Sequence, residues 1–203
     1  MRRTSSHATR AGILAALLCL LLAIPGTAPA ESPAVALVSR TVVDVLAVLN
    51  DDSLDLAARR QKIEAIAYER FDFDTMSKLV VARHWKSFSA EQKVEFVEEF
   101  KAFLARSYGD RIKRYSDEQV EVVSETPLKR GDVKVMTAIV GGEFDGALVE
   151  YRLRQSDGAW RVIDVKVEGI SLVLNYRDQF KAVLSRGGPD ELLQQLKQKN
   201  TEA

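Results

Sequence analysis

Cysteine and histidine are almost absent from this chain: Cys19 is the only cysteine, and His7 and His84 are the only histidines. A lone cysteine forms no disulfide within the chain. With so few thiol and imidazole groups, a His-rich or Cys-rich metal site is excluded, and only an unusual carboxylate site stays open. Charge of one sign is lacking too. Lysine and arginine total 29, aspartate and glutamate 29, and no basic block stands out, which argues against a nucleic-acid binder. No apolar run reaches the ~20 residues needed to cross a bilayer; the run Ala11 to Ile24 has fourteen. A phosphate-cradling glycine loop is missing, because Gly141-Gly142 lies in a strand connection rather than ahead of a helix.

What is present begins with an export pattern. Arg2, Arg3 and Arg10 precede the fourteen-residue apolar run, Pro25-Gly26 breaks it, and Ala28-Pro29-Ala30 offers a small-x-small cleavage site. Residues 1–30 are therefore predicted to be a cleaved secretory signal peptide. No apolar residue closely follows Arg2-Arg3, which disfavours a twin-arginine signal, and Leu18 before Cys19 disfavours lipidation. Cleavage would leave residues 31–203 as one domain of 173 residues with 26 basic and 29 acidic side chains. A domain of that size buries about 70% of its unfolded surface. It would have no thiol and would rest on its apolar core.

Periodicity then divides the chain. Ser32-Pro33 starts a helix with an apolar stripe of Val35, Val38, Val42, Val45, Leu46 and Leu49. A second helix turns Leu56, Ile63, Ile66 and Ala67 inward. The segment Phe71-Asp72-Phe73-Asp74 breaks that helix and caps a short third one. Ser89-Ala90-Glu91-Gln92 has capping-box spacing and opens a long helix to about Tyr115, with Phe96, Phe100, Phe103, Leu104 and Tyr108 along one stripe. Ser107 and Arg111 continue that stripe, either because the helix leaves the core or because Arg111 stands at the lip of a cavity. From Gln119 the period becomes two. Four runs, around Val120, Val135, Tyr151 and Val165, are joined by turn residues into an antiparallel meander. Ile163, Val165 and Val167 fall on one face and Asp164 and Lys166 on the other. From Leu172 the spacing is helical again, Gly187-Gly188 ends that helix, and Pro189 starts a last one. The predicted class is α+β: a four-stranded antiparallel sheet covered by N-terminal and C-terminal helices.

No catalytic constellation emerges. His84 beside Trp85 reads as an edge residue, and without a nucleophile elbow there is no serine triad for it to serve. Asp72 and Asp74 read as helix caps before they read as paired carboxylates. Asp164 or Glu150 as general base, in a small-molecule enzyme of cone-like α+β fold, is the alternative to a binding protein; it requires one of them to be buried with a raised pKa. The remaining feature is an apolar interior. Phe71, Phe73, Met76, Leu79, Phe96, Phe100 and Leu104 on helices are expected to oppose Val149, Tyr151, Leu153, Val165 and Val167 on the sheet. Composition does not distinguish a filled core from a hollow one.

Three stretches together resemble one family. Phe71-Asp72-Phe73-Asp74-Thr75-Met76-Ser77 is the first and Arg83-His84-Trp85-Lys86 with Phe96 and Phe100 the second. The third is Val167-Glu168-Gly169-Ile170-Ser171-Leu172-Val173-Leu174-Asn175-Tyr176-Arg177-Asp178-Gln179-Phe180, followed by Gly187-Gly188. In order and spacing they resemble the MlaC family of periplasmic phospholipid-binding proteins, also called the toluene-tolerance auxiliary family. Val81-Ala82 departs from the leucine-glycine frequent there; Ala82 is still small enough for close packing.

The resemblance implies a soluble periplasmic shuttle that carries glycerophospholipid and maintains outer-membrane lipid asymmetry. Its implied partners are an outer-membrane lipoprotein–porin complex and an inner-membrane ABC transporter complex, met through a membrane-anchored lipid-binding ring. Membrane contact would be transient. It implies no enzyme activity, no metal and no cofactor, the phospholipid being cargo. The lipid-binding wall is expected to be Phe73, Met76, Leu79, Phe96, Phe100, Leu104, Tyr108, Val149, Tyr151, Leu153, Val165, Val167, Val173 and Tyr176, enclosing an apolar cavity. Two acyl chains hold on the order of 30 methylenes, and exposing each to water costs about 0.8 kcal/mol, so an aqueous crossing requires cover.

Overall fold

Ser32 caps the first helix as expected, its hydroxyl accepting from the Val35 amide at 3.2 Å, with Pro33 in the first turn. The structure is a computed structural model that describes residues 31–109 and 118–201. The predicted signal segment and Arg111 lie outside the described residues. Helix α1 spans Pro33–Leu49, α2 Leu56–Arg70, α3 Phe73–Val81 and α4 Ala90–Gly109. Strands follow: β1 Gln119–Pro127, β2 Val133–Val140, β3 Leu148–Ser156, β4 Ala159–Val167 and β5 Ile170–Ser171. Helix α5, Leu172–Thr201, is two helices joined at a kink where Gly188 has φ 69° and Pro189 restarts the chain. No described helix is long and apolar enough to cross a membrane.

The sheet runs β1-β2-β3-β4-β5, antiparallel throughout. It has five strands rather than four, because Glu168 (φ 48°) and Gly169 (φ 82°) turn the chain back on β4 in a two-residue hairpin. Two successive positive φ values are what such a tight turn requires. A bulge also corrects the predicted alternation. Leu153 pairs with Val162 and Arg152 with Asp164, so Ile163 is the extra residue. The bulge puts Val162, not Ile163, on the face with Val165. Against that face α1 packs Ala34, Leu37 and Val38, closing a core with Val135, Leu153 and Val162.

Helices α3, α4 and α5 form a second core of their own. Phe96 stacks on Phe100 at 5.7 Å, Phe180 meets Phe100 edge-on at 5.9 Å, and Tyr176 meets Phe103 at 5.2 Å. Such ring pairs add about 0.5–1.5 kcal/mol each beyond the area they bury. Polar contacts set the approach of these helices. The capping box closes with Ser89 N–H on Gln92 Oε1 at 2.8 Å and Gln92 N–H on Ser89 Oγ at 3.1 Å. Asn200 donates to the Glu99 carbonyl at 3.0 Å, and Lys197 pairs with Glu95. Arg177 donates through Nε and Nη2 to the Leu79 carbonyl at 2.9 and 2.6 Å, answering an acceptor in the last turn of α3.

Ala82 follows directly at φ 49°, ψ −121°, and is exposed. Size is therefore not the constraint there; a positive φ that glycine adopts freely and alanine does not is the constraint. Ala82→Gly is expected to stabilise the protein by about 1 kcal/mol, the relieved strain exceeding the entropy glycine adds to the unfolded chain. Chemical denaturation measures it, and an equal loss would show that alanine is unstrained.

On the opposite face of the sheet, Asp132 is buried between two guanidiniums, Arg152 Nε at 2.8 Å and Arg154 Nε at 2.7 Å. Burial alone would raise its pKa; the hydrogen bonds from Arg154 and Arg152, with their charges, outweigh it and hold the carboxyl below its ordinary 3.8. A carboxyl lowered in the folded state contributes stability above its unfolded pKa and loses it as pH falls through the folded one. Asp132→Asn is thus expected to cost about 1–3 kcal/mol at pH 7 and to flatten the acid limb of stability below about pH 4. Urea titrations at pH 7 and pH 3 check both.

Candidate functional site

Helix α2 has an apolar side but no buried residue. Ile63, Ala67 and Tyr68 on that side front a cavity of about 620 Å³ instead of a packed wall. Opposite them, β4 supplies Val165 and Val167, the β5 turn Ile170, and the start of α5 Leu172. Phe71, Phe73 and Met76 line it from the break before α3 and from α3, and Leu104, Ala105 and Tyr108 from the end of α4.

Local chemistry holds these elements apart. Phe71 makes a parallel bridge to Val162, and the Asp72 amide donates to the Val162 carbonyl at 2.9 Å, so the chain between α2 and α3 is tied to β4. Asp72 then caps α3, accepting from the Thr75 amide and hydroxyl, both at 2.7 Å. Across the cavity Asp164 accepts from Ser171 Oγ at 2.6 Å and from the Val173 amide at 3.0 Å, fixing where α5 leaves the sheet.

The polar lining is either exposed or engaged. Arg60, Glu168 and Asn175 lie at the solvent-facing edge. Lys101 Nζ sits 4.1 Å from the centre of the Tyr68 ring and 3.5 Å from Glu98. Burial, then the charges of Glu64 and Glu98, raise the Tyr68 phenol above its ordinary value and keep it neutral. Tyr68, Phe71, Phe73 and Lys101 also border a polar hollow of about 520 Å³ lined by Asp74, Lys78, Asp157 and Arg161. An apolar chamber and a polar one therefore share a wall.

Of the expected wall, Phe73, Met76, Leu104, Tyr108, Val165 and Val167 line the cavity. Phe96, Phe100, Val173 and Tyr176 do not: they are buried in the core of α3, α4 and α5, with Leu79 packed against it. Helices that pack on one another turn their rings toward each other rather than toward the sheet. Leu153 is closed in beneath α1, and Val149 lies beside Val167 in register without reaching the cavity. Tyr151 faces a separate space. The apolar residues that sequence reasoning missed as wall are those of α2, with Phe71, Ala105, Ile170 and Leu172. Ile63 and Ala67 were legible as an inward stripe, but nothing in their spacing says whether that stripe meets side chains or space.

Neither proposed general base reaches the cavity. Glu150 lies 3.3 Å from Lys166 Nζ and 3.8 Å from Lys134 Nζ on the opposite sheet face, and Asp164 is engaged by Ser171 Oγ and the Val173 amide, with Ser171 itself capping α5 through the Leu174 amide. Among the described residues no group of three or more His, Cys, Asp or Glu is arranged to hold a metal.

Comparison with known proteins gives one consistent answer. The family model described as "MlaC protein" matches residues 39–198. The toluene tolerance protein ttg2D of Pseudomonas putida is 31% identical over 123 residues, 59% of this chain. The intermembrane phospholipid transport system binding protein MlaC of Haemophilus influenzae is 24% identical over 123 residues, again 59% of this chain. The matched stretch spans 56% and 58% of the length of these two relatives. A phospholipid-binding protein from Ralstonia solanacearum, solved in complex with a phospholipid, superposes with a TM-score of 0.76 at 26% identity, covering 84% of this chain and 98% of its own.

Proposed function

Because the chain belongs to the MlaC family, we propose that it binds glycerophospholipid and carries it through the periplasm. The observation that carries this reading is the cavity against Val165 and Val167: about 620 Å³, walled by aliphatic and aromatic side chains, and adjoining a polar hollow. That pairing suits an amphiphile, with hydrocarbon in the dry chamber and the headgroup toward the polar side. The volume lies within the ~300–1,000 Å³ usual for ligand pockets. The phospholipid in the related Ralstonia protein supports the ligand class.

Transport follows from chemistry. A lipid leaves a membrane when something replaces the hydrocarbon around its chains, and an apolar cavity does so without a nucleophile, metal or nucleotide. Residues 1–30 direct export, and 31–203 act as the single lipid-binding domain. Cargo passes between an outer-membrane lipoprotein–porin complex and the lipid-binding ring of an inner-membrane ABC transporter complex, which supplies the energy. The role is in keeping the outer membrane asymmetric, and it calls for no catalytic residue and no cofactor beyond the bound cargo.

Native mass spectrometry of gently purified protein is expected to show bound phospholipid. Val165→Asp, which sets a carboxylate without a partner in the apolar wall, is expected to cut retained lipid by roughly tenfold or more while the melting curve stays cooperative. Lipid-free protein that also fails to extract phospholipid from vesicles would refute the proposal.

A further inference from the structure

Four residues border both the apolar cavity and the polar hollow beside it: Tyr68, Phe71, Phe73 and Lys101. Three are rings, and the fourth carries a charge. On α4 the cavity-lining positions are Lys101, Leu104, Ala105 and Tyr108, the i, i+3, i+4, i+7 spacing of one helix face. A lysine therefore stands on the inward stripe of α4, in line with residues that wall an apolar chamber. Its side chain is only 23% exposed.

An ammonium so placed loses hydration and still has three N–H donors to satisfy. The partners it has are modest. Glu98 lies 3.5 Å away on a side chain that is 66% exposed, and the Tyr68 ring, 4.1 Å from Nζ, offers no lone pair. A solvated carboxylate one helical turn away holds a lysine weakly. The flexible stem lets the ammonium turn to a better acceptor without moving α4.

The neighbouring cations are placed differently. Arg60 is 55% exposed and sits 3.6 Å from Glu64 on its own helix, and Arg161 donates to the Glu69 carbonyl at 2.7 Å. Beyond Lys101, the charges of Lys78 and Arg161 in the hollow are offset by the exposed Asp74 and Asp157, while Asp72 spends both oxygens on Thr75. The hollow itself has no positive surplus to hold an anion.

A glycerophospholipid carries its phosphodiester at one fixed place, where hydrocarbon gives way to the headgroup. Lys101 stands at the corresponding place in the protein. We infer that Lys101 binds the lipid phosphate: its ammonium leaves Glu98 and the Tyr68 ring for a non-ester oxygen of the phosphodiester, so the cavity selects phosphate-bearing lipids over neutral diacylglycerols. A charge-assisted bond of this kind strengthens where the lipid itself shuts out water. Selection acts on the phosphate and not on the group esterified beyond it. The inference rests on the lipid-carrier reading and adds to it the residue that recognises what all glycerophospholipids share.

The full chain, Lys101→Met and Lys101→Arg are incubated with vesicles holding diacyl phosphatidylethanolamine and diacylglycerol of the same acyl chains in equal amounts. Lipid recovered with the protein is quantified by mass spectrometry. Methionine keeps an unbranched stem and removes the charge, whereas arginine keeps the charge. Lys101→Met is expected to lower the ratio of phospholipid to diacylglycerol roughly tenfold, the worth of one charge-assisted bond. Lys101→Arg is expected to keep that ratio within about threefold of the unmodified chain. A lysine with a merely structural role would lower both lipids together, and an unchanged ratio in Lys101→Met would overturn the inference. So would a ratio that falls with Arg60→Gln and not with Lys101→Met, because the headgroup would then lie at the solvent-facing edge. If Lys101→Met does not fold, Lys101→Gln decides. Inorganic phosphate titrated into lipid-free protein separates the two sources of phosphate. No saturable binding is expected, since the acyl chains bring the phosphate to Lys101; Lys101-dependent binding of phosphate alone would overturn the headgroup assignment. An unmodified chain that takes up neither lipid refutes the carrier reading, whereas uptake of both with a ratio indifferent to Lys101 overturns this inference alone.

Discussion

The rings of α4 and α5 face each other, and most of the architecture depends on that choice. Phe96, Phe100, Phe103, Tyr176 and Phe180 form a continuous cluster, with Phe88 and Trp85 at its end. Having buried their area against one another, these rings are not free to fill the space before the sheet. A helical block with its own core and a sheet with its own helix are thus left standing against each other, and the hollow lies where neither core reaches.

Such a hollow collapses unless its walls are tied at the edges. Two ties do this, one through backbone and one through side chains. At one side the Phe71 bridge and the Asp72 amide attach the α2–α3 junction to β4, and Asp72 at once begins α3. At the other, Asp164 on β4 accepts from Ser171 Oγ and the Val173 amide at the start of α5, whose Arg177 reaches across to the end of α3. Strand β4 is therefore the shared anchor of both walls. The carboxylate weighed as a catalytic base is an element of this frame: its two acceptor bonds are spent on the geometry of the exit from the sheet.

Much of this was legible from residues alone. Helix starts at Ser32, Asp72 and Ser89 follow from side-chain oxygens three residues ahead of an amide, a local chemistry that needs no tertiary partner. The Gly188 kink and the Asp157-Gly158 turn sit at glycines that take a positive φ freely. The alternation of β4 was misread at Ile163 because a bulge is a property of the strand pair, not of either strand. The fifth strand was missed because two residues carry no period. Ala82 was read for its size, whereas its backbone conformation is what matters.

The wall residues divide on the same principle. Val165 and Val167 lie on the face that strand alternation assigns them, and a face of an antiparallel sheet remains a face whatever covers it. Phe96 and Phe100 were assigned to the cavity because an apolar stripe says only that a residue points away from water. By itself, then, the sequence determined the main helices, four of the five strands, the caps at Ser32, Asp72 and Ser89, the class and the family. Which inward-facing surfaces touch, and which are held apart around empty space, was decided by the tertiary structure. Periodicity encodes direction along one element, whereas a cavity is a distance between several.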